Sequence, residues 1–192
     1  DGRIAMTDYV HQVVEILDPA TGATTILAGV FDASGYVDAT GAAARFARPY
    51  GIAVRDGALI VADYENHRIR SVDLATGAVT TLAGSGVPGT ADGALATAQF
   101  DLPQGVAVDA AGTIYVTDTG SYRVRRIRNG TVETIAGDGV GGFRDDDDPL
   151  IAEFYGLEGL AVAPDGAALY VADGSRGEAL PYNRVRIVDL TP

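Results

Sequence analysis

The sequence contains no cysteine and no lysine, and it has no long hydrophobic run. The lack of cysteine excludes a disulfide framework, thiolate metal sites and a cysteine nucleophile. No apolar stretch approaches the ~18 residues that a membrane span needs. No window keeps the 3.6-residue apolar period of an amphipathic helix, so we expect very little helix.

Positive charge is scarce, because 14 basic residues, all arginine, face 26 acidic ones and leave a formal net charge of −12. This balance repels phosphate backbones and anionic membrane surfaces, so we expect neither a nucleic-acid partner nor membrane insertion. An apolar share of 47% is enough for a sizeable core. The lack of cysteine fits a secreted, periplasmic or cell-surface protein, and an extracytoplasmic location is therefore predicted.

One pattern repeats along the chain every 54 or 55 residues. An aspartate closes an apolar run at Asp8, Asp63, Asp118 and Asp173. A phenylalanine recurs at Phe46, Phe100 and Phe154, and a glycine opens an apolar run at Gly51, Gly105 and Gly159. Such self-similarity is the signature of a repeat architecture. Because each phenylalanine shortly precedes a strand, we predict that it plugs the space between neighbouring repeats.

Four short strands are predicted within one period, at Gly51–Val54, Leu59–Ala62, Arg68–Val72 and Val79–Ala83. Asp-Gly, Thr-Gly and Asn-Gly pairs separate the strands of each repeat and are typical of hairpin turns. Repeated four-stranded meanders predict an all-β fold, a β-propeller, in which the first strand of each blade lines the central channel.

The segment Pro49–Arg70 resembles the NHL repeat, a family named after an Asn-His-Leu motif. Asn66 and His67 match the first two letters, and Arg68 stands where the leucine would be. The segment Gly89–Val108 is similar to the region between blades in bacterial NHL proteins. The resemblance covers essentially the whole chain and implies a propeller of four-stranded blades. It implies no single function, since propellers include both binding modules and enzymes.

The predicted strands form a single propeller region over residues 1–192, with blades at about 1–29, 49–84, 103–137 and 157–192. The first and last blades each lack one strand, which gives about three and a half blades. Propellers hold about 4–8 blades. We therefore expect an arc of a six-bladed ring, with the remaining blades of the same polypeptide as its partner.

The long connections and the loops that follow the recurring aspartates fall on one face of such a propeller, and this long-loop face is the predicted interaction surface. The recurring aspartates could form a metal-binding ring, but local hydrogen bonds that shape a turn are the favoured interpretation. Asp38, Asp92 and Asp146, each eight residues before a recurring phenylalanine, are predicted to order the long loops. Arginines on the third strands are expected on the outer surface, paired with aspartate.

Two histidines, His11 and His67, occupy near-equivalent positions in neighbouring blades. They could ligate a metal or act as a general base. Tyr122 and Asn183 take this place in the other blades. Such interchange favours a hydrogen-bonding wedge between blades.

Blade four carries an insertion at Gly174–Tyr182, next to a run of four carboxylates. The run is either a solvated loop or a Ca²⁺ site, and its members are the candidate metal ligands Asp145, Asp146, Asp147 and Asp148. The candidate partner-binding residues are Tyr64, His67, Tyr122, Arg176, Glu178 and Tyr182.

The sequence favours a non-catalytic scaffold that binds a protein or glycan partner through the long-loop face, with no cofactor apart from the Ca²⁺ alternative. A metal-dependent lyase- or lactonase-like enzyme is the second hypothesis, implied by the family resemblance, with Asp109 as its best candidate near the channel. The third hypothesis is a structural arm of a larger secreted or surface protein.

Overall fold

A computed structural model describes residues 2–174 and 183–191. The first sheet comprises β1 (Ile4–Asp8), β2 (Val13–Asp18) and β3 (Ala23–Gly29). The second comprises β4 (Pro49–Arg55), β5 (Ala58–Asp63), β6 (Arg68–Asp73) and β7 (Val79–Ala83). The third comprises β8 (Gly93–Ala94), β9 (Pro103–Val108), β10 (Ile114–Asp118), β11 (Arg123–Arg128) and β12 (Thr131–Ala136). The fourth comprises β13 (Leu157–Val162), β14 (Ala168–Asp173) and β15 (Arg184–Asp189).

Each sheet is an antiparallel meander, so the prediction of an all-β propeller arc is confirmed. We call the four sheets blades one to four, and each long connection belongs to the blade that it enters. Three single-turn 3₁₀ helices lie at Gly41–Ala43, Tyr64–Asn66 and Thr119–Ser121. β8 was not predicted: it pairs with β12, because the long loop entering blade three runs along that blade's outer edge.

The tight turns follow from residues that tolerate positive φ. Asp56 and Gly57 have φ of 48° and 80°, and Asn129 and Gly130 have φ of 51° and 80°. Two successive positive φ values are the mark of the type I′ hairpin, whose twist matches that of the flanking strands. These turns lie on the face opposite the long loops.

The core lies between blades, as the recurring phenylalanines predicted. Phe100 is fully buried and packs with Ile60 and Ile69 of blade two and with Ile114 and Val116 of blade three. Phe46 and Phe154 belong to the equivalent clusters on either side. Each blade therefore buries its apolar residues against its neighbour rather than within itself.

Glycines let the innermost strands approach one another closely. A Cβ atom at Gly105 in β9 would lie 2.4 Å from the carbonyl oxygen of Glu158 in β13. A Cβ atom at Gly51 in β4 would lie 2.4 Å from the carbonyl oxygen of Gln104 in β9. Real Cβ atoms do not come this close, so only glycine permits the contact. The first residues of these strands are thereby brought side by side at the inner edge.

Candidate functional site

A buried arginine between two aspartates recurs in blades two, three and four, and we call this arrangement the clamp. In blade three, Arg125 has no exposed side-chain surface and donates to Asp118 at 2.9 Å and to Asp92 at 2.7 Å. The same contacts are made by Arg70 with Asp63 and Asp38, and by Arg186 with Asp173 and Asp145.

Each clamp holds the long loop that enters its blade. Arg125 donates to the loop carbonyls of Gln99 and Ala91, and its guanidinium carbon lies 5.3 Å from the ring centre of Phe100. Asp92 in turn accepts hydrogen bonds from the backbone and the hydroxyl group of Thr134 in β12. The loop is therefore tied to the two outer strands of the blade.

The clamps correct three predictions. Arg70, Arg125 and Arg186 pair with aspartate as expected, but they are buried rather than on the outer surface. The aspartate that orders the last loop is Asp145, so the choice of Asp146 was wrong by one residue. The recurring aspartates do more than shape a local turn, since Asp63 accepts from the backbone of Ala47, 16 residues earlier.

Burial raises the pKa of two clamp aspartates, Asp118 and Asp63. It raises the pKa of Asp118 to about 6, although the Ser121 hydroxyl group and Arg125 both act to lower it. Burial also raises the pKa of Asp63. Asp38, Asp92 and Asp145 are partly or largely exposed.

Blade one has no clamp, because Glu15 stands at the position of the arginine. Its recurring aspartate, Asp8, instead hydrogen-bonds His11 at 2.7 Å, and His11 stacks on Phe31 at 4.1 Å between ring centres. The hydrogen bond to Asp8 raises the pKa of His11, and the same bond lowers the pKa of Asp8.

The hydrogen-bonding wedge between blades is confirmed at His67, whose Nδ1 accepts from the backbone N–H of Leu102 at 3.2 Å. In blade one the equivalent bond is made by the side-chain oxygen of Gln12, which accepts from the backbone of Arg48 at 2.6 Å. His11, at a near-equivalent position, lies one residue before Gln12 and hydrogen-bonds Asp8 instead.

A groove of about 470 Å³ lies on the long-loop face, where the inner strands of blades two, three and four meet. Its floor carries Tyr50, Gln104 and Glu158, each directly before a recurring glycine. The backbone there is held firmly: the Thr117 hydroxyl group donates to the Glu158 carbonyl at 2.7 Å, and Thr119 donates to that of Leu157.

Among the described residues that line the groove, the side chains at equivalent positions become smaller from blade two to blade four. After each recurring aspartate the residue is Tyr64 in blade two, Thr119 in blade three and Gly174 in blade four. Two positions after each recurring phenylalanine the series is Arg48, Leu102 and Gly156. Gly156 and Gly174 line the groove and are joined by a backbone hydrogen bond of 2.9 Å.

Aromatic side chains surround the groove. Tyr64, Tyr122 and Tyr155 line it together with Tyr50. Tyr50 stacks on Tyr9 at 4.9 Å between ring centres and lies 5.4 Å from Tyr64. The Tyr64 hydroxyl group is protonated near neutral pH, as in an ordinary tyrosine, and can donate a hydrogen bond. Burial raises its pKa further.

Two of the predicted partner-binding residues, Tyr64 and Tyr122, lie together in the groove, and His67 hydrogen-bonds Leu102, which lines it. Three others lie outside the described residues, namely Arg176, Glu178 and Tyr182. Sequence reasoning did not select Tyr50, Gln104, Tyr155 or Glu158. A signal existed for three of these, since the residue before each recurring glycine changes from blade to blade.

The four consecutive carboxylates at Asp145–Asp148 have different structural roles. Asp145 belongs to the clamp, while Asp146 and Asp148 accept local backbone hydrogen bonds and Asp147 is exposed. Within residues 2–174 and 183–191, no group of three or more His, Cys, Asp or Glu side chains is placed to hold a metal ion. Asp109 accepts from the backbone of Ala111 and Thr113 in the β9–β10 turn, on the face opposite the groove.

No described helix has the length and apolar character of a membrane span.

The NHL repeat family matches residues 46–70 and 100–127. The protein SUPPRESSOR OF QUENCHING 1, chloroplastic, of Arabidopsis thaliana is 34% identical over 130 residues, which is 64% of this chain and 12% of that protein. NHL repeat-containing protein 2 of Bos taurus is 28% identical over 153 residues, 67% of this chain and 21% of that protein. The chain thus spans about a fifth or less of these relatives.

Solved structures show the same fold at low sequence identity. A structural genomics protein of unknown function from Bacteroides thetaiotaomicron superposes with a TM-score of 0.73, at 20% identity, over 90% of this chain and 42% of that one. The virginiamycin B lyase of Staphylococcus aureus superposes with a TM-score of 0.55, at 12% identity, over 100% of this chain and 54% of that one. At these identities the likeness concerns the fold alone.

Proposed function

Because this chain belongs to the NHL-repeat β-propellers, we propose that it is a binding scaffold that holds a protein or glycan partner on its long-loop face. The observation that carries the proposal is the tyrosine-lined groove between blades two, three and four. We also propose an extracytoplasmic location, with which the lack of cysteine is compatible.

The variation among the repeats supports this assignment. The clamp positions and the recurring phenylalanine stabilise the fold. They keep the same residue in blades two, three and four. Positions that face the groove differ in every blade. Binding residues are commonly carried on loops that a rigid scaffold positions, and tyrosine supplies a large apolar surface with a polar tip.

The hypothesis of a metal-dependent enzyme is supported by the fold likeness to a lyase. At 12% identity that likeness gives no argument about individual residues. A purely structural arm would give no reason for a groove whose lining differs from blade to blade. We therefore retain partner binding as the proposed function.

The experiment compares the wild-type chain with Tyr64→Ala and Tyr122→Ala on a glycan array and a peptide array. Tyr170→Ala is the matched control, since Tyr170 is 44% exposed and lies outside the groove. We expect the best ligand to lose about tenfold or more in affinity with each groove variant and to keep its affinity with the control. Thermal unfolding of each variant verifies that it is folded.

Two results would overturn the proposal. The first is a set of ligands that bind the groove variants as tightly as the wild type, which would place binding elsewhere. The second is the absence of any saturable ligand on both arrays.

A further inference from the structure

We infer that a second binding site lies between blades two and three on the face that carries the tight turns, and that it takes a small carboxylate with an apolar body. The site is a cavity of about 220 Å³. It lies on the face opposite the groove, so the inference goes beyond the proposed function and does not depend on it. The arguments are two arginines, the turns that carry them and an apolar lining.

Two guanidinium groups border the cavity. Arg55 ends β4 in blade two, and Arg128 ends β11 in blade three. Arg55 reaches the neighbouring blade, since a Cβ atom at Gly112 would lie 3.6 Å from its Nε atom. Its ion pair with Asp56 is long, at 3.7 Å, and the Asp56 side chain is 89% exposed, so this pair contributes little. Arg128 makes no ion pair within the described part of the chain. Both charges can therefore engage an anion.

The repeat shows that arginine stands here where other blades have aspartate. The last residue of the third strand accepts backbone hydrogen bonds from the following turn in the other three blades, as Asp18, Asp73 and Asp189. Arg128 takes this place in blade three. At the place of Arg55, blade three has Asp109, which accepts from the backbone of its own turn. The charge is thus reversed at both positions that border the cavity.

The turns explain the loss of aspartate but not the gain of arginine. Arg55 and Arg128 each precede a two-residue turn with positive φ at both positions, and such a turn needs no aspartate cap. Either position could therefore hold any polar residue. In a chain with 14 basic and 26 acidic residues, both hold arginine and both border one cavity. A ligand that needs positive charge gives a reason for the pair.

The rest of the lining suits an apolar body. Leu82 and Leu95 are partly buried against the core between the two blades, and Ile127 belongs to that core. None of the described residues that line the cavity is acidic. Cavities for drug-sized ligands begin at about 300 Å³, so a smaller molecule fits here. Guanidinium groups bind a carboxylate through paired, charge-assisted hydrogen bonds, which leaves the apolar body to the leucines.

The charge of the whole chain favours a single carboxylate over a phosphate. A net charge of −12 repels anions at long range, and it repels a doubly charged anion more strongly. A phosphate group without an apolar body would also make no use of Leu82 and Leu95. We therefore assign the site to a monocarboxylate with a short aliphatic body.

The test uses isotope-labelled wild-type chain and three probes: 3-methylbutanoate, its neutral amide 3-methylbutanamide, and acetate. We expect 3-methylbutanoate to shift the backbone amide signals of Gly112 and Gly130. It should bind about five times as tightly as either other probe, or more, because it alone has both the charge and the apolar body. Raising the salt concentration should narrow its advantage over the amide. Equal binding of the acid and the amide would overturn the inference, and so would equal binding of the acid and acetate.

Arg55→Gln and Arg128→Gln test the two guanidinium groups. Arg48→Gln is the matched control, because it removes the same charge from an exposed side chain on the long-loop face. We expect each cavity variant to lose about fivefold or more in affinity for 3-methylbutanoate and the control to keep its affinity. Thermal unfolding verifies that each variant is folded. Equal effects of the three substitutions would overturn the inference. Shifts confined to Gly120 and Gly156 would do so too, since they would place the probe in the groove.

Discussion

The clamp and the groove lie on the same side of the blades and are built from the same repeat, yet they differ in how much their residues vary. Blades two, three and four place Asp, Arg and Asp at the clamp positions. The groove positions before the recurring glycine hold Tyr50, Gln104 and Glu158. A repeat of about 54 residues thus contains both positions that keep the same residue and positions that change from blade to blade.

The difference has a physical cause in burial. A buried guanidinium must have its charge compensated, and removing one partner leaves an uncompensated charge in the core. Substitution at one clamp position is therefore costly. In blade one, where Glu15 replaces the arginine, the recurring Asp8 is kept, but it is partly exposed and pairs with His11. A groove residue faces solvent on one side, so its identity is open to selection for a ligand.

The largest effect is expected from breaking one clamp. Arg125→Ala leaves Asp118 buried without its cation, and it releases the carbonyls of Gln99 and Ala91. We expect a loss of about 3–5 kcal/mol in the free energy of unfolding. Chemical denaturation measures it, with Arg128→Ala as the control, because Arg128 is exposed and its loss should cost about 0.5 kcal/mol or less. Equal effects of the two substitutions would show that the clamp does not stabilise the fold.

An intermediate effect on stability is expected where a recurring glycine contacts a variable groove residue. In Gly105→Ala the new methyl group would lie 2.4 Å from the Glu158 carbonyl oxygen, so β9 and β13 must move apart. We expect a loss of about 1–3 kcal/mol, the usual cost of overpacking. Gly159→Ala is the matched control, since a Cβ atom there has no neighbour within 4 Å. Its stability should be unchanged or raised by up to about 1 kcal/mol. If both variants behave alike in thermal unfolding, the inner strands are not in close contact.

The smallest effect concerns blade one, where no clamp forms. The Asp8 carboxylate raises the pKa of His11, so Asp8→Asn should lower that pKa. A raised pKa in the folded state means that the bond stabilises the fold below the histidine's ordinary pKa and ceases to do so as the pH rises through the folded value. The titration of His11 by NMR in the wild type and in Asp8→Asn measures the shift. An unchanged pKa in Asp8→Asn would show that the hydrogen bond does not form in solution.

Much of the fold could be predicted from local sequence. Turn-forming pairs such as Asn129-Gly130, which adopt positive φ, located the turns, and the runs of apolar residues located most strands within a few residues. The clamp was not predicted, because an arginine on a strand is usually exposed, and its burial depends on a loop that contributes Asp92 from 33 residues away. The one-residue error at Asp146 arose for the same reason, since spacing along the chain does not determine which side chain turns inward.

By itself the sequence determined the number of blades, their order and the residues that plug them, because these depend on periodicity and on residues with a single structural use. Only the tertiary structure decided that Tyr50, Gln104 and Glu158 form one floor, and that Gly156 and Gly174 leave a groove beside it. These residues are about 54 positions apart or lie in different loops. They meet because glycine lets the inner strands of successive blades pack at a distance that no larger residue allows.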